Sequence, residues 1–274
     1  MTISRIETGE REFDSMISET LLSRVGKTAY RFEFVLNEED YKLYELRENI
    51  EKFTKEGKVE AAKEKLHEYE DLTPSDSVLH KQFIVYYQAL LMEREKWESK
   101  DIIKLFHEAI DLTRPDYKEK TYSLRLYSAM ELKIIYHLFL YEHYEEEDLE
   151  SVFRFVEEIY DEEEKRNVML PFYLYLVKRY EEEENFHEMK RISGQAVSLI
   201  LSGRSYLHLM DFYYYELWAE YELNKDIMTW KEKRKELFQR CNEIYYMSMA
   251  IEDADMMEKV KVFSEDKIGW QIIM

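Results

Sequence analysis

Six glycines and three prolines are the only strong chain-breakers in 274 residues, roughly 3% where an average protein carries about 12%. Sandwiches, barrels and doubly wound sheets need special backbone at every connection, so this scarcity points to a long run of helices. Charged residues make up 36% of the chain and apolar residues 45%, with aromatics at 15%, which separates it from disordered polyampholytes. The length suits about two domains and a sizeable core. The most apolar stretch runs from Val168 to Val177 and contains Pro171, well short of the ~20 residues a membrane span needs. Met1 to Glu7 has no basic-then-apolar leader pattern. The one cysteine, Cys241, has no partner for an internal disulfide and suits a reducing compartment. A cytoplasmic protein with no membrane partner is expected.

Net charge is −20, which repels nucleic acid unless positive charge is concentrated locally. The first 36 residues are close to balanced, with five basic and six acidic side chains. Almost all the excess negative charge lies beyond them. The charge shift predicts a boundary between 1–36 and 37–274, with Asn37 capping the first helix after it.

Beyond that boundary aromatic-rich stretches alternate with brief separators. They predict five antiparallel helix pairs: 39–55 with 58–71, 75–96 with 99–113, 119–143 with 147–163, 166–183 with 186–201, and 204–224 with 228–250, then a tail. Lys55-Glu56-Gly57-Lys58 makes the first turn, Ser75 caps the second pair after Pro74, and Arg114-Pro115-Asp116 precedes the third. A recurrence of ~34–47 residues with two helices each is the pattern of a helical-repeat solenoid. Small residues at Ala61-Ala62, Ala89, Ala109 and Ala219 suit close helix crossings. The fold class expected is all-α, a right-handed tetratricopeptide-like solenoid of about five pairs with a degenerate period.

The N-terminal segment Thr2-Ile3-Ser4-Arg5-Ile6-Glu7-Thr8-Gly9-Glu10-Arg11 resembles the recognition helix and following turn of XRE-type helix-turn-helix domains. Ile3 and Ile6 lie three apart and suit docking, while Thr2, Ser4 and Arg5 are the short polar and basic groups that reach base edges and phosphates. With Arg11 they form the DNA-binding set that the resemblance implies. Phe13 to Lys27, with a glycine stop at Gly26, resembles the fourth helix of that domain. The family's first two helices would precede Thr2, so the resemblance implies a partial, N-terminally truncated unit. DNA binding is expected only if that domain is complete.

A helix-turn-helix joined to helical repeats resembles the peptide-sensing, quorum-sensing regulators of the Rgg/PlcR/Rap type. That resemblance implies a dimeric repeat domain which takes a short signalling peptide in its concave groove and controls the DNA-reading segment. The alternative is a protein–protein interaction scaffold that never touches DNA.

No P-loop, dinucleotide turn, nucleophile elbow or His-Glu-x-x-His motif occurs. The chain is therefore expected to be no enzyme, with no cofactor. The tetrads Glu64 to His67 and Glu184 to His187 have the spacing used by di-iron bundles. The first lies mainly off its helix's apolar stripe and the second straddles a turn, so no metal is expected. Cys241 reads as a buried, inert thiol. The acidic runs at 145–148, 161–164 and 181–184 read as solvated helix ends.

Tyrosines are more numerous than a core wants, since each buried hydroxyl needs a partner. Aligning the first helices of pairs two to five on their turns selects Phe83, Tyr86, Lys133, His137, Phe172, Tyr175, Arg179, Tyr213 and Glu216 as one strip for a peptide or protein partner. The regulators it resembles grip peptide backbone with asparagines, and this strip has none. A homodimer is expected through the last pair and the apolar tail Trp270-Gln271-Ile272-Ile273-Met274.

Overall fold

The computed structural model describes residues 15–27, 37–115, 117, 126–142, 146–203, 206, 208–226 and 230–272. Every extended element among them is a helix. In chain order these are α1 (Ser15–Arg24), α2 (Glu38–Lys55), α3 (Val59–Leu72), α4 (Val78–Arg94), α5 (Ser99–Asp111) and α6 (Ala129–Tyr141). They continue with α7 (Glu146–Ile159), α8 (Glu162–Glu182), α9 (Phe186–Leu201), α10 (Leu209–Asn224), α11 (Trp230–Ala250) and α12 (Ala254–Phe263), and a π turn spans Ser264–Ile268. The all-α class holds. The chain forms two compact units, Met1–Val168 and Met169–Met274, so the break falls inside α8 and not at 36/37.

The ten expected helices correspond to α2 through α11, and packing within an expected pair is seen for α2 with α3, α4 with α5 and α10 with α11. Asn37 caps α2 as expected, its side chain accepting the Asp40 N–H at 2.9 Å. Ser75 does not cap α4. A turn in which the Ser77 N–H donates to the Pro74 carbonyl delays the helix to Val78. The third pair opens at Ala129, under a reciprocal cap between Ser128 and Glu131, ten residues later than the spacing predicted. The expected tail holds a further helix, α12.

How so few glycines make so many hairpins is visible in the backbone. Five helices end alike, with one residue in the left-handed region and two N–H groups bonded back to the last turn. Glycine holds that position after α1 (Gly26) and α2 (Gly57). After α4, α8 and α11 it is Lys96, Glu184 and Glu252, with φ of 60°, 55° and 60°. A Cβ in that conformation costs roughly 1–2 kcal/mol. Glu184→Gly is therefore expected to raise the thermal midpoint by about 2–4 °C. An unchanged or lower midpoint in calorimetry would show that the position carries no strain.

Within the first unit α2 and α3 form one hairpin and α4 and α5 another, α3 packs on α4, and α5 packs on α6. Ala62, Ala89 and Ala109 are fully buried at these crossings, with Ile50, Tyr69, Phe83, Phe106 and Leu138 filling the space between. In the second unit α9 packs on α10, α10 on α11 and α11 on α12, around Met189, Ala196, Leu217 and Ala219.

Candidate functional site

Phe83 and Tyr86 lie three apart on α4, and Lys133 and His137 lie four apart on α6, so each pair shares a helix face. The structure brings the two faces together. The Tyr86 and His137 rings meet at 5.7 Å between centroids, and His137 stacks on Phe106 at 4.9 Å. Burial among these rings, with the Lys133 charge adding to it, pulls the His137 pKa down to about 4. Burial likewise holds the Tyr86 hydroxyl protonated.

This face is not an open groove, because α1 lies on it. The helix packs against α4 and α6 and buries Met16 and Ile17. Two arginine–carboxylate pairs hold it. Arg47 of α2, one of the largest fully buried side chains, meets Glu19 at 2.6 Å and Ser15 Oγ at 3.4 Å. At the other end Arg24 Nη2 meets Glu131 at 2.5 Å, and Arg114 Nε lies 3.3 Å from the same carboxylate oxygen. Glu131 also accepts the Ser128 N–H at 2.7 Å. Beside it the Ala129 N–H donates to Ser23 Oγ at 2.7 Å. Past the helix, the Gly26 carbonyl accepts the Asp161 N–H at 2.7 Å.

What remains beneath α1 is a cavity of about 70 Å³ lined by residues that include Met16, Glu19, Arg47, Phe83 and Lys133. Ligand pockets run to roughly 300–1,000 Å³, so this space suits a water or two and no peptide. The expectation that Phe83 and Tyr86 line an open peptide groove is corrected: they are 1% and 4% exposed and pack in the core.

The other strip residues belong to the second unit. Phe172 is core, at 1% exposure, so it too is no groove residue. Tyr175 and Arg179 are half-buried on α8, and Arg179 pairs with Glu183 at 2.7 Å. Tyr213 and Glu216 are half-buried on α10, and Glu216 meets Arg240 of α11 at 3.2 Å. One turn on, Glu220 collects Arg240 at 2.6 Å, Lys190 at 3.6 Å and Lys233. Burial raises its pKa, and these cations outweigh that to leave the carboxyl below its ordinary range.

Against another face of α10 packs α12. Its Lys259 ammonium sits 4.3 Å from the Tyr214 ring centre and 4.9 Å from that of Tyr215. Its Phe263 meets Tyr214 and Tyr221 edge-on. Much of the tyrosine surplus is packing of this kind. The tail is covered: Trp270 packs edge-on against Phe238 at 4.9 Å with Arg234 over its ring, and Ile272 is buried.

Thr2, Ser4, Arg5 and Arg11 lie outside the described residues, as do Ile273 and Met274. Cys241 is buried, which pushes its thiol up to about 12. Among the described residues no three His, Cys, Asp or Glu side chains gather in a way that could hold a metal ion. No helix among them is long and apolar enough to cross a membrane. Sequence reasoning missed Arg24, Arg47, Arg114 and Glu131. Only the Ser128-x-x-Glu131 spacing, a capping-box pattern, marked one of them in advance. In comparisons with family models, curated proteins and solved structures, the chain matches none of them.

Proposed function

We propose that this chain is a transcriptional regulator whose helical-repeat body, a tetratricopeptide-like solenoid that dimerises, responds to a short signalling peptide or protein and sets the posture of an N-terminal DNA-reading segment. The observation that supports this reading is the docking of α1. It follows directly on the residues that resemble a recognition helix and sits against the first helices of three successive pairs: two arginine–carboxylate pairs tie it to α2 and α6, and it packs on α4. Docked and released α1 are two states, and a ligand that prefers one of them shifts the population. A ligand seated on the α4–α6 face has to displace α1, so binding there and DNA-segment posture are one equilibrium.

The net charge of −20 favours the scaffold reading in its place. Filter binding separates the two, using protein from its native source with its intact mass read alongside, on a fragment of its own promoter at about 0.1 M salt. The regulator reading expects specific retention that Arg5→Ala weakens by at least about ten-fold. Retention no better than on unrelated duplex would leave the scaffold.

A further inference from the structure

Helix α1 covers the α4–α6 face, yet one sizeable groove in the first unit is open. It has a volume of about 430 Å³ and runs between α3, α4 and α5, inside the range of sites that bury a ligand. Leu66 and Leu91 form a buried floor, and Met92 and Leu105 continue it. Trp97, in the hairpin after α4, forms a wall and is 53% exposed. Its indole N–H donates to Glu95 Oε2 at 3.1 Å, which directs the ring along the groove's edge. The same carboxylate holds Lys63 of α3. The lysine hydrogen bond keeps Glu95 below its ordinary pKa. The groove's mouth is thus organised in advance.

The surroundings select the sign of a partner. Helix α3 carries five carboxylates against two lysines, and Glu70 and Glu95 both line the groove. Lys63 is matched by Glu95 and by Glu60 at 3.7 Å, and His67 faces Asp71 at 4.0 Å. The floor wants an apolar side chain and the rim wants cations.

We propose that the α3–α4–α5 groove is a docking site for a short cationic peptide segment that inserts a leucine-sized or aromatic side chain against Trp97. Rigid aromatic walls around a desolvated centre are where binding energy concentrates, and the acidic rim steers and orients a basic segment. The site shares no lining residue with the cavity beneath α1 and does not depend on the chain binding DNA.

The test titrates the full chain with the acetylated, amidated peptide Lys-Ala-Leu-Lys-Ala-Leu-Lys, read by calorimetry and tryptophan fluorescence. Trp97→Ala and Met92→Glu are each expected to weaken binding by at least about ten-fold, as is replacing both peptide leucines by alanine. Glu70→Lys is expected to weaken it at least about five-fold more than Glu243→Lys, an equal charge change on α11 outside the groove. Four outcomes would overturn the proposal: no binding at millimolar peptide, equal binding by the alanine peptide, indifference to Trp97→Ala, or equal binding by a peptide with glutamate for lysine. Equal losses from Glu70→Lys and Glu243→Lys would also sink it, since they would indicate diffuse attraction to an acidic protein.

Discussion

Glu131→Ala is expected to lower the unfolding free energy of the first unit by about 3–5 kcal/mol, the range for breaking a buried ion pair from one side. The carboxylate is fully buried and is shared by Arg24, Arg114 and the Ser128 N–H. Its removal leaves two guanidinium groups facing each other and deprives the Ser128 N–H at the start of α6 of its acceptor. Glu131→Gln keeps the shape and the acceptor for Ser128 but loses the charge, and should fall between wild type and alanine. Arg24→Ala should cost only about 1–2 kcal/mol, because Glu131 then keeps Arg114 and the cap. Urea unfolding followed by circular dichroism ranks the three. If Arg24→Ala proved as damaging as Glu131→Ala, the carboxylate would matter only through α1 and not as the hub of three elements. The ranking also bears on function, since Arg24→Ala loosens one end of α1 while leaving the rest of the unit's polar core paired.

The helix pairs could be read from the sequence because their cause is local. Asn37 caps where a cap was needed, Gly57 and Gly26 stop their helices, and the buried alanines at 62, 89, 109 and 219 lie where helices cross. The hairpins closed by Lys96, Glu184 and Glu252 carry no such residue-type mark, since a lysine or glutamate in the left-handed region looks like any other on paper. In α12 the i, i+4, i+7 spacing of Met256, Val260 and Phe263 was available but is short enough to pass for a tail.

The candidate site failed to be legible for a different reason. Periodicity places Phe83 with Tyr86 and Lys133 with His137 on helix faces, and those faces do meet. It says nothing of what lies on top. The groups that dock α1 are 25 to 135 residues from their partners in the chain, so no local pattern announces them. A buried arginine such as Arg47 also reads as a surface residue until its carboxylate is found. The same gap explains the tyrosines: a ring that packs beneath a distant helix and one that lines an open groove look identical in sequence.

Gly26→Ala and Gly57→Ala should differ by several kcal/mol although the two glycines are twins. Both have φ of +71°. Both end a helix with the same pair of N–H groups turned back: Gly26 and Lys27 to Ser23 and Leu22, Gly57 and Lys58 to Thr54 and Phe53. At Gly57 an added Cβ meets nothing within 4 Å, so that variant reports the left-handed strain alone, about 1 kcal/mol. At Gly26 the Cβ would fall 1.8 Å from the Ile159 carbonyl oxygen, 2.4 Å from its carbon and 2.6 Å from Tyr160 Cα. These are backbone atoms, which cannot rotate away as a side-chain tip would. The end of α1 has to lift by more than about 1 Å, and the Asp161 N–H loses its acceptor at Gly26. A loss of at least about 4 kcal/mol is expected, beyond the ordinary spread for point substitutions. The alternative way to relieve the clash is to release α1, which hydrogen exchange over residues 15–24 would record as lost protection while α2 to α5 stay protected. A difference between the two variants of under about 1 kcal/mol, with α1 still protected, would mean that the helix end is not seated against residues 159–160. Because the substitution changes no charge, it also separates the mechanical role of α1 from the electrostatic one. If α1 transmits posture, Gly26→Ala should alter DNA retention as strongly as it alters stability, and Gly57→Ala should alter neither by much.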